Sequence, residues 1–196
     1  MELPAAPTLP LRTERLVLRG FEAGDLEPLL ALHGDPDAVR YVPFGPRDRE
    51  EVQRVLERKR LARGFAADGD RLELAVTLPD GTFLGDVMLA LRSAEHQTVE
   101  VGYIFGPAHG GRGYATEAVR ALLDLAFGPL GARRVVARVD DRNTTSRALL
   151  ERLGMRQEAH LVENEWFKGE LSSEVDYAVL AREWPSRGRR GAVAEP

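Results

Sequence analysis

Gly106-Pro107-Ala108-His109-Gly110-Gly111-Arg112-Gly113-Tyr114-Ala115, running directly into residues 116–127, is the stretch that decides the fold of this 196-residue chain. Ala118, Val119, Leu122, Leu125 and Ala126 recur at helical spacing, so 116–127 reads as an amphipathic helix with one buried stripe. Residues 98–105, just before the turn, have strand spacing, and 134–139, just after the helix, have it again. Strand, helix, strand in that order is a parallel crossover unit. A glycine-rich turn that opens a helix leaves backbone N–H groups unpaired at the positive end of the helix dipole, which favours a phosphate group. The glycines let the backbone approach such an anion closely, and Arg112 adds charge-assisted hydrogen bonds.

Outward from the turn, three segments at strand spacing, 72–78, 83–92 and 98–105, form an antiparallel meander whose first turn is Pro79-Asp80-Gly81. Before them, 13–19 alternates as a strand, Asp25 caps a helix carrying Leu26, Leu29, Leu30 and Leu32 that stops near Gly34, and a second helix spans 49–63. Asp48 and Glu51 form a capping box there, with Val52, Val55, Leu56 and Lys59 on one face. After the crossover, Asp140-Asp141-Arg142-Asn143 leads into a short helix, 145–153, closed by Gly154, and strands return at 155–163 and 174–181. This is one mixed α/β domain over 1–184: a largely antiparallel sheet of about six to seven strands with flanking helices. Residues 185–196, rich in Arg, Gly and Pro, read as a flexible tail.

Hydrophobic residues at 43% and charged residues at 30% suit a chain that buries a core. The absence of cysteine excludes disulfides, a thiolate nucleophile and cysteine-ligated metal. His33, His96, His109 and His160 lack helical metal spacing, so no metal is expected. A net charge of −4 removes the broad positive field on which non-specific nucleic-acid binding depends. No apolar run approaches a membrane span and 1–10 lacks the pattern of a secretory signal, so the expectation is a cytoplasmic protein without membrane or nucleic-acid partners.

Three phosphate-binding turns can be compared with 106–116. A P-loop needs a lysine after its glycines, and none stands near. A dinucleotide turn needs a third glycine where Thr116 stands, and it follows the first strand, whereas about 100 residues precede this turn. The third is the acyl-coenzyme A turn Gln/Arg-x-x-Gly-x-Gly/Ala, which 110–115 match in their last four positions, with Gly110 where Gln or Arg is usual. Further motifs fall in the same order: Thr13-Glu14-Arg15-Leu16-Val17-Leu18-Arg19, Glu100-Val101-Gly102-Tyr103-Ile104, Asn143-Thr144-Thr145-Ser146 with Leu153-Gly154-Met155, and a closing strand from Tyr177 to Trp184. Together they resemble the RimJ/RimL-like branch of the GNAT N-acetyltransferases.

The resemblance implies direct transfer of an acyl group from acetyl-CoA to an amine, on a protein or peptide N-terminus or a small molecule. It implies Glu100 as base or amine-orienting group; the residue type suits a solvent-facing strand position or an internal ion pair equally well. It implies Ser146 as the group facing the sulfur and Asn143 as a hydrogen-bonding partner of the cofactor, although both also suit an N-cap. Cofactor contacts are implied along Ile104, Phe105, His109, Gly110, Gly111, Arg112, Gly113, Tyr114, Ala115 and Thr116. A backbone N–H near Ile104 and Phe105, freed by a bulge that splays the fourth strand from the fifth, would polarise the thioester carbonyl; Gly102 and Gly106 would permit it. Tyr103 and Tyr114 could serve as donors but read better as packing residues with polar tips, and His160 reads as structural. The acceptor cleft is expected between 26–63 and 164–173. Branch members are often dimers, so the resemblance admits a homodimer. A competing reading is a non-catalytic acyl-CoA-binding module, and a third is a dinucleotide-dependent oxidoreductase. Glu100 and Ser146 facing one cleft favours the enzyme over the binding module.

Overall fold

The computed structural model describes residues 7–185. Its elements, in chain order, are β1 (Leu11–Arg12), β2 (Val17–Arg19), α1 (Leu26–His33), α2 (Arg49–Leu61), β3 (Arg71–Thr77), β4 (Phe83–Ser93), β5 (Thr98–Phe105), α3 (Tyr114–Phe127), β6 (Arg134–Asp140), α4 (Thr144–Arg152), β7 (Arg156–Phe167) and β8 (Glu170–Leu180). One mixed sheet takes the order β1-β2-β3-β4-β5-β6-β8-β7, antiparallel throughout except where β5 meets β6. That parallel pair is the crossover expected around α3.

Strand alternation separates the sheet into two faces. Leu72, Leu74 and Val76 of β3, Val87, Leu89 and Leu91 of β4, and Val99 and Val101 of β5 join Val119, Leu122 and Leu123 of α3 and Leu149 and Leu150 of α4 in the main core. The opposite face receives α1 and α2, which pack Leu29, Val52, Val55 and Leu56 with Phe21 around Ala75 of β3. Residues in phase with Ala75, namely Glu73, Asp86, Met88, Glu100, Gly102 and Ile104, therefore share that second face. The register sets them in rows across the sheet: Glu73 opposite Met88 opposite Gly102, and Asp86 opposite Ile104. Helices α1 and α2 cover only part of this face, and the charged rows beyond them form the floor of the site.

The elements differ from the sequence reading in few places, each with a local cause. The first strand breaks because Thr13 N–H donates to Leu16 O while the Thr13 hydroxyl oxygen accepts from Leu16 N–H, leaving β1 and β2 on either side and an eight-stranded sheet. Helix α3 begins two residues early, at Tyr114, because Gly113 occupies the N-cap with φ +79°. Segment 164–173, expected to line the acceptor cleft and left between two strands by the sequence reading, is the end of the β7–β8 hairpin, with Phe167 opposite Glu170 and Gly169 in the turn at φ +89°. The expected tail lies, from residue 186 on, outside the described residues. Among the described residues no helix is long and apolar enough to cross a membrane.

Candidate active site

Pairing between β5 and β6 stops at Glu100 opposite Val136, and beyond it the two strands separate. A cavity of about 430 Å³ occupies the resulting opening, lined by Glu100, Tyr103 and Ile104 of β5, Ala137 to Val139 of β6, and Asn143 and Ser146 at the start of α4. Its opposite wall is Tyr41 to Phe44 and Arg47 from the α1–α2 connection, with Arg58 and Lys59 of α2. All of these residues fall within 26–63, the stretch expected from sequence to line an acceptor cleft. Residues 164–173 are not among the lining, and His160 stands on β7 with Nε2 3.4 Å from Asp141 Oδ2.

The splay expected next to β5 is present, but it does not come from a bulge at Ile104 or Phe105. Pairing of β5 with β4 is regular from Val99 to Phe105, and the register shift between these strands lies at Leu91/Ser93. On the β4 side, β5 approaches Gly85 closely: a Cβ there would sit 2.2 Å from Ile104 O and 2.9 Å from Phe105 Cα. Two bonds fix which main-chain groups face the opening. Gly106 N–H donates to Leu84 O at 3.1 Å, and Arg134 N–H donates to Gln97 O at 3.2 Å. By alternation, Val99, Val101, Tyr103 and Phe105 turn their amides towards β6, whereas Ile104 turns towards β4. Of the two amides singled out from the sequence, Phe105 faces the opening and Ile104 does not; Tyr103 joins it.

Glu100 is 8% exposed, and both Nε (2.6 Å) and Nη2 (2.5 Å) of Arg92 bond its Oε2. It is therefore an ion-pair partner and a cavity residue at once. Asn143 Oδ1 accepts from Ser146 N–H at 3.1 Å, so Asn143 is the N-cap of α4 while also lining the cavity. The Tyr103 hydroxyl donates to Ser146 O at 3.4 Å. Burial pushes that phenol up to about 12, so it keeps its proton at neutral pH and acts as a donor beside Ser146. The sequence reading allowed Tyr103 as a donor but favoured packing.

It missed a buried ionic cluster on the acceptor side. Lys59 bonds Glu73 and lies 3.4 Å from Asp86 Oδ2, which His33 Nε2 reaches at 3.1 Å, and Arg47 Nη1 bonds His33 Nδ1 at 3.1 Å. A guanidinium only donates, so this network assigns Nδ1 of His33 as acceptor and Nε2–H as donor to Asp86. Burial pushes the Asp86 carboxyl up, and Lys59 with His33 outweighs it, so the group is held below the usual carboxylate range. The signal was available: Glu73, Asp86 and Glu100 each interrupt an otherwise apolar strand at one phase of the alternation.

At the glycine-rich turn, Gly111 and Gly113 have φ of +73° and +79°. His109 and Gly110 spend their N–H groups within the turn, on Gly106 O and Pro107 O, so they offer no main-chain donor to an anion. The α3 ladder begins with Glu117 N–H on Gly113 O at 3.0 Å, so the amides of Tyr114, Ala115 and Thr116 precede it. These donors, at a helix N-terminus with glycine approach and the exposed Arg112, fit the pyrophosphate of a coenzyme A. The opening segment braces the turn: Thr13 Oγ1 donates to Glu117 Oε1 at 2.6 Å, Arg15 pairs with Glu117 at 2.7 Å, stacks 4.8 Å over Tyr114 and bonds Arg112 O at 3.0 Å. Of the site residues named from sequence, Glu100, Ile104, Asn143 and Ser146 meet in the cavity. Phe105 and 109–116 lead from it to the start of α3 without lining it.

Residues 15–156 match the acetyltransferase (GNAT) domain family. The chain belongs to that family. It is 28% identical over 181 residues to the uncharacterized N-acetyltransferase YnaD of Bacillus subtilis, covering 89% of this chain and 98% of that protein. A GNAT-family acetyltransferase from Bacillus anthracis superposes with a TM-score of 0.81 at 28% identity, over 89% of this chain and all of that one. The spermidine N-acetyltransferase of Vibrio cholerae, in complex with CoA and spermine, gives 0.75 at 24% identity over 87% and 98% of the two chains, a likeness of fold. The protein is thus an acyl-CoA-dependent N-acyltransferase.

Proposed function

We propose that this protein, as one catalytic domain of the RimJ/RimL-like branch, transfers the acetyl group of acetyl-CoA directly to a primary amine on a peptide or protein N-terminus or a small molecule. The observation that carries the reading is the meeting of Glu100, Tyr103, Asn143 and Ser146 in one cavity where β5 and β6 part. Bound acetyl-CoA supplies the thioester carbonyl as electrophile. Glu100, anchored through Oε2 by Arg92, accepts the proton of the attacking amine, directly or through one water. The amides of Tyr103 and Phe105, turned into the opening, stabilise negative charge on the carbonyl oxygen. The Ser146 hydroxyl, with Tyr103 beside it, stabilises the departing thiolate. With no cysteine in the chain, transfer proceeds without a thiol-borne acyl-enzyme.

The test is coenzyme A release from acetyl-CoA across a panel of amines and short peptides, for wild type, Glu100→Gln and Ser146→Ala. The expected result is acceptor-dependent release that falls by about 10²-fold or more in Glu100→Gln, the range of general base catalysis. Release that is equal in all three proteins would overturn the assignment. Binding of acetyl-CoA without turnover on any acceptor would instead favour the non-catalytic binding module.

A further inference from the structure

The charge balance of the cavity is uneven. Each of its three carboxylates already has a partner: Glu73 and Asp86 share the Lys59 ammonium, Asp86 also accepts from the neutral His33, and Glu100 is paired with Arg92. Among the described residues, Arg47, Arg58 and Arg71 line the same cavity with no carboxylate within ion-pairing distance. Arg47 is half-buried, held against the Phe44 ring at 3.5 Å and against His33 Nδ1, neither of which carries a compensating negative charge in that arrangement. Burial first, and then the like charge of Arg58, pushes the Arg47 guanidinium below its ordinary range, outweighing the opposing pull of the more distant Glu51, Asp86 and Glu73 carboxylates. An anion placed among these three groups would relieve that repulsion.

Position decides which reactant brings the anion. Arg71 stands opposite Ala90, and Ala90 opposite Glu100, so Arg71 lies two strands from Glu100, about 10 Å at ordinary strand spacing. The β5/β6 opening lies on the other side of Glu100. A molecule with its amine at Glu100 and its body reaching away from the cofactor therefore runs towards Arg71, Arg58 and Arg47. We infer that the acceptor is an amine that also bears a carboxylate or phosphate, and that Arg47, Arg58 and Arg71 select it. This rests on the acetyl-transfer reading above and narrows its acceptor. It sets the site apart from one built for a polyamine, whose several positive charges would meet three uncompensated guanidinium groups.

The experiment measures coenzyme A release from acetyl-CoA with amines matched except for one charge: aminoethyl phosphate against ethanolamine, β-alanine against β-alaninamide, and spermidine as the polycation. Each charge-assisted hydrogen bond is strong enough for about a tenfold preference, so wild-type kcat/KM is expected to be at least about tenfold higher for the acidic partner. In Arg58→Gln/Arg71→Gln, and in Arg47→Gln, that ratio is expected to fall towards one. A neutral or cationic partner preferred by wild type, or an acidic preference that survives these substitutions, overturns the inference. So does a preference for succinyl-CoA over acetyl-CoA that the same variants erase, because it moves the anion onto the acyl donor. If no amine in the panel is turned over, calorimetric binding of N-acetyl-β-alanine against N-acetylputrescine in the presence of coenzyme A decides. Tighter binding of the acid supports the inference, and the reverse order or no binding of either overturns it. Turnover confined to ethanolamine or spermidine removes this inference alone, whereas failure to bind acetyl-CoA removes the acetyl-transfer reading beneath it.

Discussion

Lys59→Met tests the buried cluster beneath the acceptor side of the cavity. Lys59, Glu73 and Asp86 are 6%, 4% and 4% exposed, and the single ammonium sits against both carboxylates. Met fills most of the lysine stem's volume, so the main loss is the cation, and Glu73 and Asp86 are left buried with only His33 against Asp86. Breaking a buried pair by removing one partner costs about 3–5 kcal/mol, and the remaining His33 contact places the expectation near the lower end, about 3 kcal/mol. With a urea m-value of about 2 kcal/mol/M, the unfolding midpoint at pH 7 falls by about 1.5 M. Arg54→Met, which breaks the exposed Arg54–Glu50 pair one helical turn apart, is the control and moves the midpoint far less. The pH dependence has a definite sign. In wild type the Asp86 carboxyl is depressed, so its contribution is present above the unfolded value of about 3.9 and is lost as pH falls through the folded value. In Lys59→Met the two facing carboxylates hold protons more tightly than in the unfolded chain, so their penalty grows as pH rises. The gap between the proteins therefore narrows from pH 7 to pH 4. A midpoint shift below about 0.5 M at pH 7, or a gap that widens on acidification, would refute the reasoning.

Gly85→Ala forces a Cβ to 2.2 Å from Ile104 O, a backbone atom that yields only if β5 moves, and is expected to cost about 1–3 kcal/mol in urea unfolding while lowering acetyl-transfer rate through displaced Tyr103 and Phe105 amides. Gly113→Val places a β-branched residue at φ +79° in the phosphate turn, so KM for acetyl-CoA in the coenzyme A release assay should rise by about tenfold or more, with the acceptor KM much less affected. Asn143→Ala removes the N-cap of α4 and should destabilise by about 1 kcal/mol in thermal unfolding, whereas Asn143→Asp keeps the cap and separates that structural loss from any effect on turnover.

The crossover around α3 was legible because each part of it is a local rule: a glycine-rich turn, a 3.6-residue stripe and flanking strands. Capping was legible in part: Asp48 and Glu51 satisfy each other's backbone N–H groups at the start of α2, whereas Asp25 takes the N-cap position of α1 without a side-chain bond to that helix, its carboxylate accepting from Arg19 and from Glu22 N–H. What failed depended on contacts between distant segments. Nothing within 13–19 shows that Thr13 turns back onto Leu16 and that Thr13 and Arg15 then reach Glu117 across more than a hundred residues. Nothing within 164–173 shows that a β7–β8 hairpin, and not a loop, occupies it, because the exposed edge strand β7 lacks the apolar alternation that marks a buried one. A bulge near Ile104 and Phe105 was expected with Gly102 and Gly106 permitting it, whereas pairing with β4 is regular there and the close backbone approach falls on Gly85 of β4, a partner identified only by register.

Lys59 shows how site chemistry can sit in plain view and still be misread. At helical spacing with Val52, Val55 and Leu56 it lies on the buried face of α2, where a lysine ordinarily extends its stem and keeps its charge in water. Here its ammonium is buried, and the reason lies in two other strands, where Glu73 and Asp86 share the phase of Ala75 and Met88. A cation on a helix's apolar face and acids at one phase of apolar strands are each anomalous alone. Together they are complementary, since each removes the desolvation penalty of the other. The same pairing bears on the proposed acceptor preference: Lys59 serves Glu73 and Asp86, Arg92 serves Glu100, and Arg47, Arg58 and Arg71 are the cavity-lining arginines left without a carboxylate partner. A net charge of −4 for the whole chain conceals this, because the balance that matters for recognition is the local one.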